Sequence, residues 1–102
     1  MPAEHILKTW PNAFDAVKNG AKRFEWRRDD RGFEVGDVLV LRKWDPRDPF
    51  GGGGYVMWTP PGRSLSQYTE LRVCVTYILR GLFGVPPEFC VMSIDLESDR
   101  AR

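Results

Sequence analysis

Pro11-Asn12-Ala13-Phe14-Asp15-Ala16-Val17-Lys18-Asn19-Gly20-Ala21-Lys22-Arg23-Phe24-Glu25-Trp26-Arg27-Arg28 contains the one clear change of hydrophobic period in the chain. Proline suits the first position of a helix and glycine the residue just past its end, while Trp10, Phe14 and Val17 follow at offsets of four and three. The spacing predicts one amphipathic helix over roughly 11 to 19. From Lys22 to Arg28 the period drops to two, with Phe24 and Trp26 on one face and Arg23, Glu25 and Arg27 on the other. That pattern predicts a half-buried strand in which Trp26, like Trp10 before the helix, serves packing.

Outward from this junction every other regular segment has the character of a strand. Residues 5 to 10 mix apolar and polar positions, and Pro11 stops them. Downstream, Asp29-Asp30-Arg31-Gly32 and Val35-Gly36-Asp37 carry turn chemistry, and the second launches a β-rich run from Val38 to Trp44. From Asp45 to Ser66, four prolines and five glycines exclude a helix or a central strand and predict a mobile loop, with Tyr55 to Trp58 as a short edge strand within it. Tyr68 to Leu79 alternates, setting Val73, Val75, Tyr77 and Leu79 against Arg72, Cys74, Thr76 and Ile78. Phe89 to Leu96 supplies the last strand, and a charged tail at 97–102 is expected to fray. One main helix among five to six strands predicts a mostly β, α+β domain in the form of a small closed barrel, since closure hides strand edges.

Composition narrows the function. At 102 residues, 42% hydrophobic and 13% aromatic, the chain builds one core and one domain. No apolar run is long enough to span a bilayer and no secretory signal is visible, which predicts a cytoplasmic protein without a membrane partner. Cys74 and Cys90 with the single histidine make no zinc ligand set, so both are expected as reduced thiols, with no metal and no cofactor. Fifteen basic against fourteen acidic residues argue against general capture of duplex phosphates, so any nucleic-acid site must be local. Gly51 to Gly54 lack the Gly-Lys-Ser or Gly-Lys-Thr ending of a phosphate-binding loop. Nothing in the chain suggests an obligate oligomer, and a monomer is expected.

Gly20-Ala21-Lys22-Arg23-Phe24-Glu25-Trp26-Arg27 also fits the Gly-x-Lys-x-x-Glu-x-Arg signature of ASCH domains, a branch of the PUA-like superfold. His5-x-Leu7-Lys8 with Trp10-Pro11, Asp30-Arg31, Val35-Gly36-Asp37 and Val75 to Leu79 extend the likeness, and together they resemble a small ASCH-like subfamily of bacteria and phages. The resemblance implies a β-barrel with a polar cleft beside the motif that binds RNA or a nucleotide-like ligand. Some ASCH proteins are amidohydrolases that deacetylate N4-acetylcytidine with a lysine at the position of Lys22, a nearby strand threonine and a separate glutamate. Glu25 stands near that threonine's place, and Glu70 is the nearest candidate for the glutamate.

The residues support a site on their own terms. Arg27 offers a planar fork to a phosphate or base edge, and Lys22 a compact charge. Glu25 can orient Lys22 or accept from a base amine. Lys8 and Arg31 add cations, His5 and Tyr68 are candidate pocket linings, and Trp58 is a candidate lid over a ligand. The competing account is a solvated strand face with an ordinary ion pair. Three functions follow: an RNA- or nucleotide-binding module, an amidohydrolase of a modified nucleoside using Lys22, Glu25 and Glu70, and a protein-interaction adaptor of phage or host.

Overall fold

A computed structural model of the chain describes residues 2–47, 54–58, 61–62, 67–81 and 83–100. Strand β1 (Glu4–Thr9) leads into helix α1 (Pro11–Lys18), followed by β2 (Phe24–Arg28) and β3 (Val38–Asp45). Short strands β4 (Gly54–Tyr55), β5 (Met57–Trp58) and β6 (Gln67–Tyr68) precede the long β7 (Glu70–Arg80), β8 (Phe89–Leu96) and a terminal turn of helix, α2 (Glu97–Arg100). The fold is mostly β with one main helix. The tail expected to fray therefore carries a helical turn as far as Arg100. Most of the segment expected as a mobile loop lies outside the described residues, but Tyr55 pairs with Trp44 and Met57 with Tyr68.

The main sheet runs β1-β3-β7-β8-β2, with β4 attached to β3. β1 and β3 are parallel, joined in register from Glu4↔Val38 to Thr9↔Lys43, and the other pairings are antiparallel. Consequently the two strands that flank α1 in sequence are the two ends of the sheet. Leu7, Phe14, Val17, Phe33, Leu39, Leu41, Val73, Val75, Cys90, Met92 and Ile94 form the core. Phe14 and Val17 are the helix's contribution, as its spacing requires. Gly20, at φ 87°, turns the chain out of the helix in a conformation that side chains resist. The Lys22 amide then donates to the Ala16 carbonyl at 3.0 Å, tying the start of the motif to the last turn of α1.

Several expectations fail in instructive ways. No hydrogen-bonded ladder joins β1 to β2 among the described residues, so the expected barrel is not closed and a seam is left between the two end strands. In β2 the faces are also reversed: Glu25 is buried at 2% exposure, whereas Phe24 and Trp26 are about half exposed. Alternation states which residues share a face, and it does not state which face turns inward. Trp10, expected in packing, is exposed as well. In β7 a bulge between Val75 and Tyr77 inserts Thr76. The register beyond it flips, so Tyr77 points to solvent and Ile78 packs on the core. Both cysteines are free thiols, and burial pushes the Cys90 pKa up.

Candidate functional site

The seam between β1 and β2 is crossed by polar side chains. The Glu25 carboxylate accepts from Lys22 Nζ on Oε1 at 2.7 Å and from Arg27 Nε on Oε2 at 2.8 Å. Arg27 then reaches across to β1, donating from Nη2 to Thr9 Oγ1 at 3.2 Å, and Lys22 Nζ donates to the Phe24 carbonyl at 2.8 Å. Thr9 and Glu25 are both 2% exposed, so the network is anchored at its two interior ends. Among the described residues no buried side-chain polar atom lacks a partner. A charge as deeply placed as that of Glu25 is tolerable only because two cations satisfy both oxygens.

The cations are not used up by this arrangement. An ammonium has three hydrogens and a guanidinium five N–H groups. Lys22 commits two and Arg27 two, which leaves donors for a guest. They face a cleft of about 320 Å³ lined by Lys8, Thr9, Trp10, Asn12, Ala13, Lys22, Glu25, Trp26 and Arg27. Trp10 is 57% exposed and Trp26 49%. Lys8 lies over the Trp44 ring at 5.1 Å. Two indoles at the rim of a charged cleft supply stacking surface beside hydrogen-bond donors.

The sequence-derived residues divide into three groups. Lys8, Lys22, Glu25 and Arg27 come together in the cleft. Arg31 sits lower on the same seam, donating to the Ile6 carbonyl at 2.8 Å. His5 does not reach the cleft: its Nε2 pairs with Asp37 at 2.8 Å and its ring meets Phe33 edge-on at 4.8 Å. It is a structural clasp on the turn before β3. Tyr68, Glu70 and Trp58 belong to another region. Glu70 is hydrogen-bonded to Arg42, whose guanidinium stacks on Tyr68 at 3.9 Å. Trp58, Tyr68 and Glu70 line a separate cleft of about 660 Å³ with Lys18 and Lys43. Glu70 thus lines a different cleft from Lys22, and Trp58 is not among the residues around the Lys22 cleft. Sequence reasoning missed Thr9 and the role of Trp10, although the Thr9-Trp10-Pro11 junction marks where a strand must open into a helix.

A family model described as "Domain of unknown function (DUF3850)" matches residues 4–94. A 40-residue stretch is 45% identical to an uncharacterized 12.9 kDa protein in the GpA 3′ region of Escherichia phage P2. That match covers 39% of this chain and 37% of the phage protein. No helix among the described residues is long and apolar enough to cross a membrane.

Proposed function

The chain belongs to the DUF3850 family, and from the geometry of its seam we propose that it is an RNA- or nucleotide-binding module of the PUA-like, ASCH-like kind that holds a nucleobase in the cleft beside Lys22, Glu25 and Arg27. A single observation carries this reading: a strand of ordinary alternation turns its carboxylate and guanidinium inward and leaves its indole at the rim of a cleft. That inversion is costly for a structural strand. It is useful for a site, because Glu25 presents acceptors for a base amine, Lys22 and Arg27 present donors for its carbonyls or ring nitrogens, and Trp10 and Trp26 offer faces for stacking. The ASCH-like signature on these same residues supports the reading, and a cytoplasmic setting goes with it.

Short single-stranded RNA and free nucleosides, titrated against the indole fluorescence of a Trp44→Phe, Trp58→Phe variant in which Trp10 and Trp26 alone report, test the proposal. Saturable quenching that Lys22→Ala and Arg27→Ala weaken by tenfold or more is the expected result. Binding that both variants leave intact would point instead to the adaptor role, and no response to millimolar nucleoside or micromolar RNA would end the proposal. The amidohydrolase alternative loses Glu70, which Arg42 holds in another cleft, and the lysine and carboxylate left to it, Lys22 and Glu25, are engaged with each other. Incubation with N4-acetylcytidine is therefore expected to release no cytidine, and Lys22-dependent release would reinstate catalysis.

A further inference from the structure

Arg27 is the common wall of two cavities. On its far side from the base cleft lies a smaller one of about 160 Å³, lined by Leu7, Arg27, Arg28, Asp30, Arg31 and Phe33. That volume is below what whole organic ligands occupy, so it has no room for a base with its sugar. Its charge is less neutralised than that of most of the surface. Arg42, Lys43, Arg47, Arg72 and Arg80 each face a carboxylate at ion-pair distance. Among the described residues Arg28 and Arg31 do not: Arg28 stands over the Phe89 ring at 5.3 Å, and Arg31 holds the Ile6 carbonyl. Arg27 shares one carboxylate with Lys22. Asp30 is the only acid in the lining, against three guanidinium groups.

Three under-neutralised forks around a small recess match the planar, multi-donor recognition of a tetrahedral oxyanion. We propose that this recess is a phosphate subsite, receiving the phosphate attached to the nucleoside whose base occupies the larger cleft, with Arg27 contacting both. The proposal rests on the base-cleft reading for the identity of the ligand and on the recess itself for the anion. It makes the ligand a nucleotide or an RNA chain, and a bare nucleoside an incomplete guest. Arg31 has a positioning duty too, because it satisfies an edge carbonyl of β1. A lysine there keeps a donor and loses the fork.

Cytidine, adenosine, their 5′- and 3′-monophosphates and inorganic phosphate are titrated separately into the isotope-labelled protein in phosphate-free buffer, with Arg31→Lys and Arg28→Gln alongside and circular dichroism to verify folding. The expected result is that a monophosphate binds at least tenfold tighter than its nucleoside. Arg31→Lys and Arg28→Gln should remove most of that advantage while nucleoside affinity stays within twofold, and Asp30→Asn should increase the advantage. Equal affinities for nucleoside and monophosphate, unmoved by Arg31→Lys, would overturn the subsite and leave the base cleft standing. Inorganic phosphate shifting resonances around Arg31 with no nucleoside or nucleotide bound would keep the subsite and overturn the base cleft. Silence from every probe would overturn both.

Discussion

Glu25 is the residue on which the site depends, and its energetics follow from its surroundings. A carboxylate at 2% exposure loses most of its hydration, and the contacts to Lys22 and Arg27 return it as charge-assisted hydrogen bonds. Glu25→Gln keeps the shape and removes the charge, leaving two partly buried cations without a counterion. It is expected to cost about 2 to 4 kcal/mol in urea unfolding, and Glu25→Ala at least as much. Trp26→Ser, on the same strand but facing out, is expected to cost no more than about 1 kcal/mol. Asp37 is the second buried acid. Burial alone would raise its pKa, but the hydrogen bond to His5 and those from the Ala3 and Glu34 amides outweigh it and hold the carboxyl below its ordinary 3.8. A carboxyl depressed in the folded state contributes stability that is fully present above its unfolded value and is lost as pH falls through the folded one. Stability should therefore decline on acidification below about pH 4. In acid titrations followed by circular dichroism, Asp37→Asn should be less stable at neutral pH and show a shallower decline.

At the scale of elements, strands and turns were legible wherever local chemistry decides them. Pro11 and Gly20 delimit α1, and β8 runs from Phe89 to Leu96 as its composition indicates. What was not legible was orientation. In β2 the period of two is visible in the sequence, but hydrophobicity alone points to the wrong inner face, because it does not count the two cations, Lys22 just before the strand and Arg27 two residues on, that make Glu25 buriable. In β7 the bulge at Thr76 has no marker of its own, because its cause is the pairing with β8, where the Thr76 and Ser93 hydroxyls lie 2.6 Å apart. The site was half legible for the same reason. The motif puts Lys22, Glu25 and Arg27 together, but the resemblance that offers Glu70, like the choice of Tyr68 as a pocket lining, does not state which cleft their strand faces. The bulge yields a contrast that simple alternation would reverse: Ile78→Ala should cost about 2 kcal/mol and Tyr77→Ala well under 1 kcal/mol, compared as urea midpoints at equal m-value.

For the molecule as a whole, the seam makes the proposed recognition of an anion compatible with near-neutrality. The net charge is +1, and most cations outside the seam are paired with carboxylates of the same surface. Along the seam Lys8, Lys22, Arg27, Arg28 and Arg31 face only Glu25 and Asp30 in the two cavities. Long-range attraction to a polyanion is therefore weak, while the local field at the gap between β1 and β2 is positive. This distribution sets the salt dependence expected of the proposed binding. Single-stranded RNA that engages only the seam neutralises roughly two or three phosphates, and each contributes about 0.7 to the slope. A plot of log affinity against log salt should fall with a slope of about −1.5 to −2, and duplex of the same sequence should bind at least tenfold more weakly because its bases cannot enter the cleft. A slope near zero would remove phosphate from the recognition. A slope steeper than about −4 would mean that far more of the surface touches the nucleic acid than the seam provides.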